Sequence, residues 1–156
     1  MSKYIVLLIV LFAGILLFLK NFQPVTLEVN GKQYKISAKR KNLIQKAQQG
    51  DIRAQYEIIT EYYQALPRPK QFIPELCFTF TQELAQKEQD LGVLTELGDL
   101  YFEGVGTPRD SKQAAAMYKR AIELYDNPTP GLYIPEKSAK YRQFLQDTLS
   151  KYETGK

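Results

Sequence analysis

Two pairs of carboxylates stand four residues apart in this chain, Glu57 with Glu61 and Asp99 with Glu103. On a helix each pair shares a face, and two acids across a cleft are what glycoside hydrolysis requires. Acids at this spacing are also commonplace on exposed helices, and nothing else here completes a catalytic set. The chain has no histidine and a single cysteine, Cys77. That removes Ser–His and Cys–His nucleophiles, histidine metal ligands, an internal disulfide and a cysteine-rich metal site. Gly104-Val105-Gly106 follows a helical pattern, whereas a phosphate-cradling loop follows a strand and opens a helix. The expectation is a protein that is not an enzyme and takes no cofactor or metal, with Cys77 buried on a helix.

The elements that hold these residues read as helices. Val93, Leu94, Leu97, Leu100 and Tyr101 recur at helical spacing and form one apolar stripe. Gly98 lies inside that helix, where glycine costs about 1 kcal/mol relative to alanine, so a close helix crossing is expected at this point. Gly104 suits the left-handed position that ends a helix, and Pro108 suits the loop. Asp110 is placed to cap a second helix, on which Ala114, Met117, Tyr118 and Ala121 share a face.

This helix, glycine-bearing turn and helix closely resembles the Sel1-like repeat, a helical-hairpin relative of the tetratricopeptide repeat. Leu97, Gly98, Tyr101, Gly104, Gly106, Asp110, Ala114, Tyr118 and Ala121 carry the resemblance. A degenerate copy precedes it. Gly50 would end one helix and Asp51 cap the next, with Ala54, Ile58 and Tyr62 matching Val93, Leu97 and Tyr101. The period is about 39 residues, within the range of helical-hairpin repeats. The copy departs from the pattern at Ile59, which stands in the place of Gly98, and at its turn, Leu66-Pro67-Arg68-Pro69-Lys70. Its second helix is expected to start near Pro74, with Ile73, Leu76, Cys77, Phe80 and Leu84 as its stripe. The run Cys77–Thr81 could alternatively be a short strand.

The resemblance implies a mainly α fold, an α-α solenoid whose stacked first helices line a concave protein-binding surface. By helical phase, Gln55, Thr60, Tyr63, Glu96, Asp99 and Glu103 are the candidate contacts, and for each a solvated polar face is the alternative. An exposed solenoid end needs a cap. A last helix from Pro135 to about Tyr152 fits that role, with Tyr141, Phe144, Leu145, Thr148, Leu149 and Tyr152 on one side and a frayed tail after it.

At the other end, Tyr4 to Leu19 is an unbroken apolar run between Lys3 and Lys20. With lysines that snorkel, it is long enough for a transmembrane signal anchor. A cleaved signal peptide is the rival, but no small-x-small site follows the run. Val25–Ile36 reads as a β-hairpin around Asn30-Gly31, and Ser37 can cap the helix that follows. The expected organisation is an anchor over 4–19, a hairpin over 25–36, one degenerate and one good repeat over 38–126, and a C-terminal capping helix over 127–152.

Charge is unevenly spread. The net charge is +4, but six basic residues crowd between Lys32 and Lys46, and after them 16 acids outnumber 13 bases. Lys32, Lys35, Lys39, Arg40 and Lys41 are therefore candidates for anionic lipid, and a nucleic-acid surface is not expected. Positive-charge counting would keep the domain in the cytoplasm, whereas the resemblance, to anchored bacterial domains that are often exported, places it in the periplasm. The expectation is a single-pass inner-membrane protein whose periplasmic domain is a scaffold or adaptor for another protein of the bacterial envelope. An immunity protein that neutralises a secreted toxin such as a lipase effector, or a structural subunit of a membrane complex, are the alternatives.

Overall fold

A computed structural model describes residues 23–64, 71–88, 90–130 and 139–155, together with 11, 12, 14 and 15. Strands β1 (Val25–Val29) and β2 (Lys32–Ile36) are followed by α1 (Ala38–Gln48), α2 (Ile52–Ile59) and the single turn α3 (Glu61–Gln64). Then come α4 (Pro74–Lys87), α5 (Leu91–Glu103), α6 (Ser111–Asp126) and α7 (Ala139–Thr154). The chain is mainly helical with one short antiparallel hairpin. Among the described residues no helix is long and apolar enough to cross a membrane. The anchor expected over 4–19 lies outside the described residues except at 11, 12, 14 and 15, as does the turn at 66–70.

The local signals act where side-chain chemistry requires them. Asn30 and Gly31 both adopt positive φ, so β1 and β2 pair with Val25 opposite Ile36 and Val29 opposite Lys32. Ser37 Oγ accepts from the Arg40 backbone N–H at the start of α1. Asp51, Asp90 and Asp110 do the same for α2, α5 and α6. Pro74 opens α4, whose stripe of Leu76, Cys77, Phe80 and Leu84 is buried together with Ile73. The stretch at 77–81 is thus helix rather than strand, its aromatic residues serving a 3.6-residue period.

Side-chain hydrogen bonds join helices that are distant in sequence. Gln55 on α2 reaches Glu83 near the end of α4, and the Arg120 guanidinium on α6 reaches the Ala85 carbonyl. Helices α5 and α6 fold back on each other through the turn at 104–110, and Gly98 opposes Tyr118 and Ala114. A Cβ on Gly98 would lie 2.7 Å from the Tyr118 ring and 3.3 Å from the Ala114 carbonyl oxygen, which explains the glycine. Gly104 ends α5 in the left-handed region. Gly106 also has positive φ, and its backbone lies against the Pro74 carbonyl, 2.1 Å from where a Cβ would stand. The turn of the second hairpin therefore docks on the start of α4.

Two expectations for the last helix change. Phe144 is 52% exposed although it falls in the apolar phase, because α7 turns Leu145 and Tyr152 inward. The helix also continues to Thr154 instead of fraying after Tyr152. Lys119 pairs with Glu153 at 2.8 Å, and Arg109 donates to the Gly155 carbonyl.

Candidate functional site

Helix α5 carries no basic residue. Its charged side chains, Glu96, Asp99 and Glu103, recur at intervals of three and four, and with the capping Asp90 they make one acidic face. Tyrosines from four other elements meet that face. Tyr56 of α2 donates to Asp90 Oδ2 at 3.3 Å. From α3, Tyr62 donates to Glu103 Oε2 at 2.6 Å and Tyr63 to Asp99 Oδ2 at 2.8 Å. Tyr118 of α6 donates to Asp99 Oδ1 at 2.9 Å, and Tyr152 of α7 donates to the same oxygen.

Tyr56 meets Asp90 at the start of α5, and Tyr62 and Tyr63 meet Glu103 and Asp99 farther along it, so the chain through α2 and α3 runs in the same direction as α5. Asp99 accepts from a tyrosine on either side of α5 and from one behind it. A buried or half-buried carboxylate is stabilised by several such donors, and here they also tie α3, α6 and α7 to α5. Around Tyr152 the contacts continue. Its ring stacks on Phe102 at 4.1 Å and meets Tyr118 edge-on at 5.1 Å. The Arg109 guanidinium lies 4.5 Å over the Phe102 ring.

The electrostatics follow from this crowding of acids. Burial first, then Asp90 and the hydrogen bond to it, push the Tyr56 hydroxyl up to about 12. Tyr63, Tyr118 and Tyr152 are held far above the ordinary tyrosine range, first by burial and then by Asp99. They act as fixed donors at any physiological pH. Glu96 differs from its neighbours. It is 6% exposed, and its Oε1 has no hydrogen-bond partner. Burial, then Asp99 and Asp90, push its carboxyl up to about 8.

Comparison of the chain with protein-family models, curated proteins and solved structures finds no match. The site is therefore argued from its own geometry. Of the six candidate contacts, the structure brings Tyr63, Glu96, Asp99 and Glu103 together. Gln55 is corrected: it is fully buried, and its amide donates to the Ala47 carbonyl at 3.0 Å and to Glu83 at 2.9 Å. It faces α1 and α4. Thr60 ends α2, and its hydroxyl donates to the Glu57 carbonyl. Glu96 and Asp99 are also less open than a solvated face would be. Tyr63, 53% exposed, and the exposed Glu103 are the parts that reach the surface. The partners Tyr56, Tyr62, Tyr118 and Tyr152 were not among the candidates, and the signal for them was a helix with acids on one face and no base.

The acid pairs do not form a joint carboxylate site. Glu61 is held in two hydrogen bonds by Arg40, one of them 2.7 Å, while Asp99 and Glu103 accept from different tyrosines. Burial outweighs Arg40 and leaves the Glu61 carboxyl above its usual range. Arg40 is itself buried, which corrects its candidacy for lipid. Lys32 is exposed but paired with Glu75 at 2.7 Å. Tyr34 also donates to Glu75, and the two donors outweigh burial to lower that carboxyl. A cleft of about 550 Å³ between α1 and α2 is lined by Lys39, Arg40, Lys46, Glu57 and Glu61. Its acids and bases largely offset one another.

Proposed function

We propose that this chain is a membrane-anchored scaffold of Sel1-like helical repeats that binds another protein in the bacterial envelope through the face shared by α2, α3 and α5. The observation that carries the reading is the Asp99 junction. The reading is supported by α2 and α3 meeting α5 in the same chain direction through three tyrosine–carboxylate pairs, the relation that stacked hairpins of a helical solenoid would have. Tyr63 places an exposed aromatic ring on that surface, a residue type enriched at protein interfaces, and Glu103 adds a charge of the kind found at their polar rims. Binding rather than catalysis is favoured because the acid oxygens are engaged by tyrosines that stay protonated. The apolar run at 4–19 would hold the domain at the inner membrane on the periplasmic side. Lys35, Lys39 and Lys41 remain as the residues for anionic lipid.

The test is photo-crosslinking of the full chain in its own cells, with a benzoylphenylalanine replacing Tyr63 in one variant and Glu123, on the exposed side of α6, in another. A discrete protein adduct at position 63 and none at 123 is expected. Equal adducts at both positions, or none at 63, would contradict the reading. A cysteine placed in the tail of a Cys77→Ser variant and probed with an impermeant maleimide reports the side of the membrane. Labelling once only the outer membrane is opened is the expected result, and labelling only after inner-membrane lysis would contradict it.

A further inference from the structure

Glu96 is the unexplained group on this face. A buried carboxyl oxygen without a hydrogen-bond partner, as Glu96 Oε1 is, is costly to the fold, and the other acids of the face each have a tyrosine. The Glu96 carboxyl sits between Asp90 and Asp99 along α5, and within electrostatic reach of Tyr56 and Tyr63 across from it. Among the described residues, the charges that act on it are those of Asp99 and Asp90, both acids. Among the described residues no group of three or more acid, cysteine or histidine side chains is arranged to hold a metal ion.

We propose that the position beside Glu96, framed by Tyr56, Tyr63, Asp90 and Asp99, receives a cationic side chain, the guanidinium or ammonium of an arginine or lysine on the partner protein. The inference rests on the reading of this face as the partner-binding surface and specifies what the partner must present. A cation supplies the donor that Glu96 Oε1 lacks, and the tyrosine rings favour a cation over a neutral donor. Glu96 would bind it ionised and release its proton to solvent. Tyr63, half exposed and bonded to Asp99, is where this group of residues reaches solvent.

The test uses the full chain in detergent micelles with the glutamate carboxyl carbons labelled for NMR. N-acetyl-arginine amide is the probe, and the isosteric but uncharged N-acetyl-citrulline amide is the control. The arginine compound should saturably lower the midpoint of the Glu96 titration by about 1 in pH, the size expected of one charge-assisted hydrogen bond, and shift the Tyr63 ring signals. Citrulline should do neither. Glu96→Gln should weaken the Tyr63 response at least about tenfold, while Glu123→Gln should leave it unchanged. Equal responses to the two compounds, or an arginine response unaltered in Glu96→Gln, would overturn the proposal. Failure here with a crosslink at Tyr63 would leave the scaffold reading standing without the cation. Cation binding without any crosslink would remove the scaffold reading and keep the site.

Discussion

The first and second helical hairpins solve the same packing problem by different means. In α5–α6 the backbone approach is set by Gly98 against Tyr118, and the turn is made by Gly104 and Gly106. In α2–α4 the equivalent position is the buried Ile59, and the first helix breaks at Thr60 before resuming as α3. Polar ties compensate: Gln55 reaches both α1 and α4, and Arg40 clasps Glu61. A glycine permits close contact with few specific bonds, whereas a branched residue holds the helices apart and leaves room for polar side chains. The break at Thr60 has a consequence for function, since it sets α3 so that Tyr62 and Tyr63 both reach α5.

The sharpest way to break the contrast is Gly106→Ala. The new methyl would meet the Pro74 carbonyl at a φ that disfavours side chains, and about 3 kcal/mol or more should be lost in denaturant unfolding. Next is the pH dependence of Glu96. Its folded carboxyl binds a proton more tightly than the unfolded one, so stability should fall as pH rises from about 4.5 to about 8. The change is on the order of a few kcal/mol, and Glu96→Gln should flatten the profile of thermal midpoints over that interval. Gly98→Ala forces its methyl on the buried Tyr118 ring and should cost about 2 kcal/mol. Ile59→Ala should cost a similar amount for the opposite reason, a cavity. If Gly98→Ala were stabilising, the close crossing would not be what distinguishes the second hairpin. The smallest effect should come from the caps. Asp110→Ala and Asp51→Ala should each lose about 1 kcal/mol, since α6 and α2 start with the same side-chain cap, whereas α4 starts at Pro74 with none.

What could be read from the sequence was local. Caps at Ser37, Asp51 and Asp110, the Asn30-Gly31 turn and the left-handed Gly104 involve partners within a few residues, and their types name their geometry. Gly98 was legible because its cost within a helix requires a reason. The site was only half legible. Helical phase placed Tyr63, Glu96, Asp99 and Glu103 together, since one helix carries three of them. It misplaced Gln55 because an amide in a buried phase is indistinguishable, in sequence, from one in a solvated phase. The tyrosine–carboxylate pairs join residues from 19 to 53 apart, and no local rule selects which of eleven tyrosines meets which acid. Arg40 among lysines and Phe144 in an apolar stripe were misread for the same reason: their surroundings come from other helices.

Asp99 is the point on which this account turns, because it joins α3, α5, α6 and α7 into one surface. The most direct measurement is amide hydrogen exchange of the full chain carrying Asp99→Ala, followed segment by segment. Loss of the shared acceptor should accelerate exchange in α3 and α7 by about tenfold or more, while the centre of the α5–α6 hairpin, held by Gly98 and Tyr118, keeps its protection. Unchanged exchange in α3 and α7, or an equal acceleration across every helix, would contradict the claim that Asp99 organises the face.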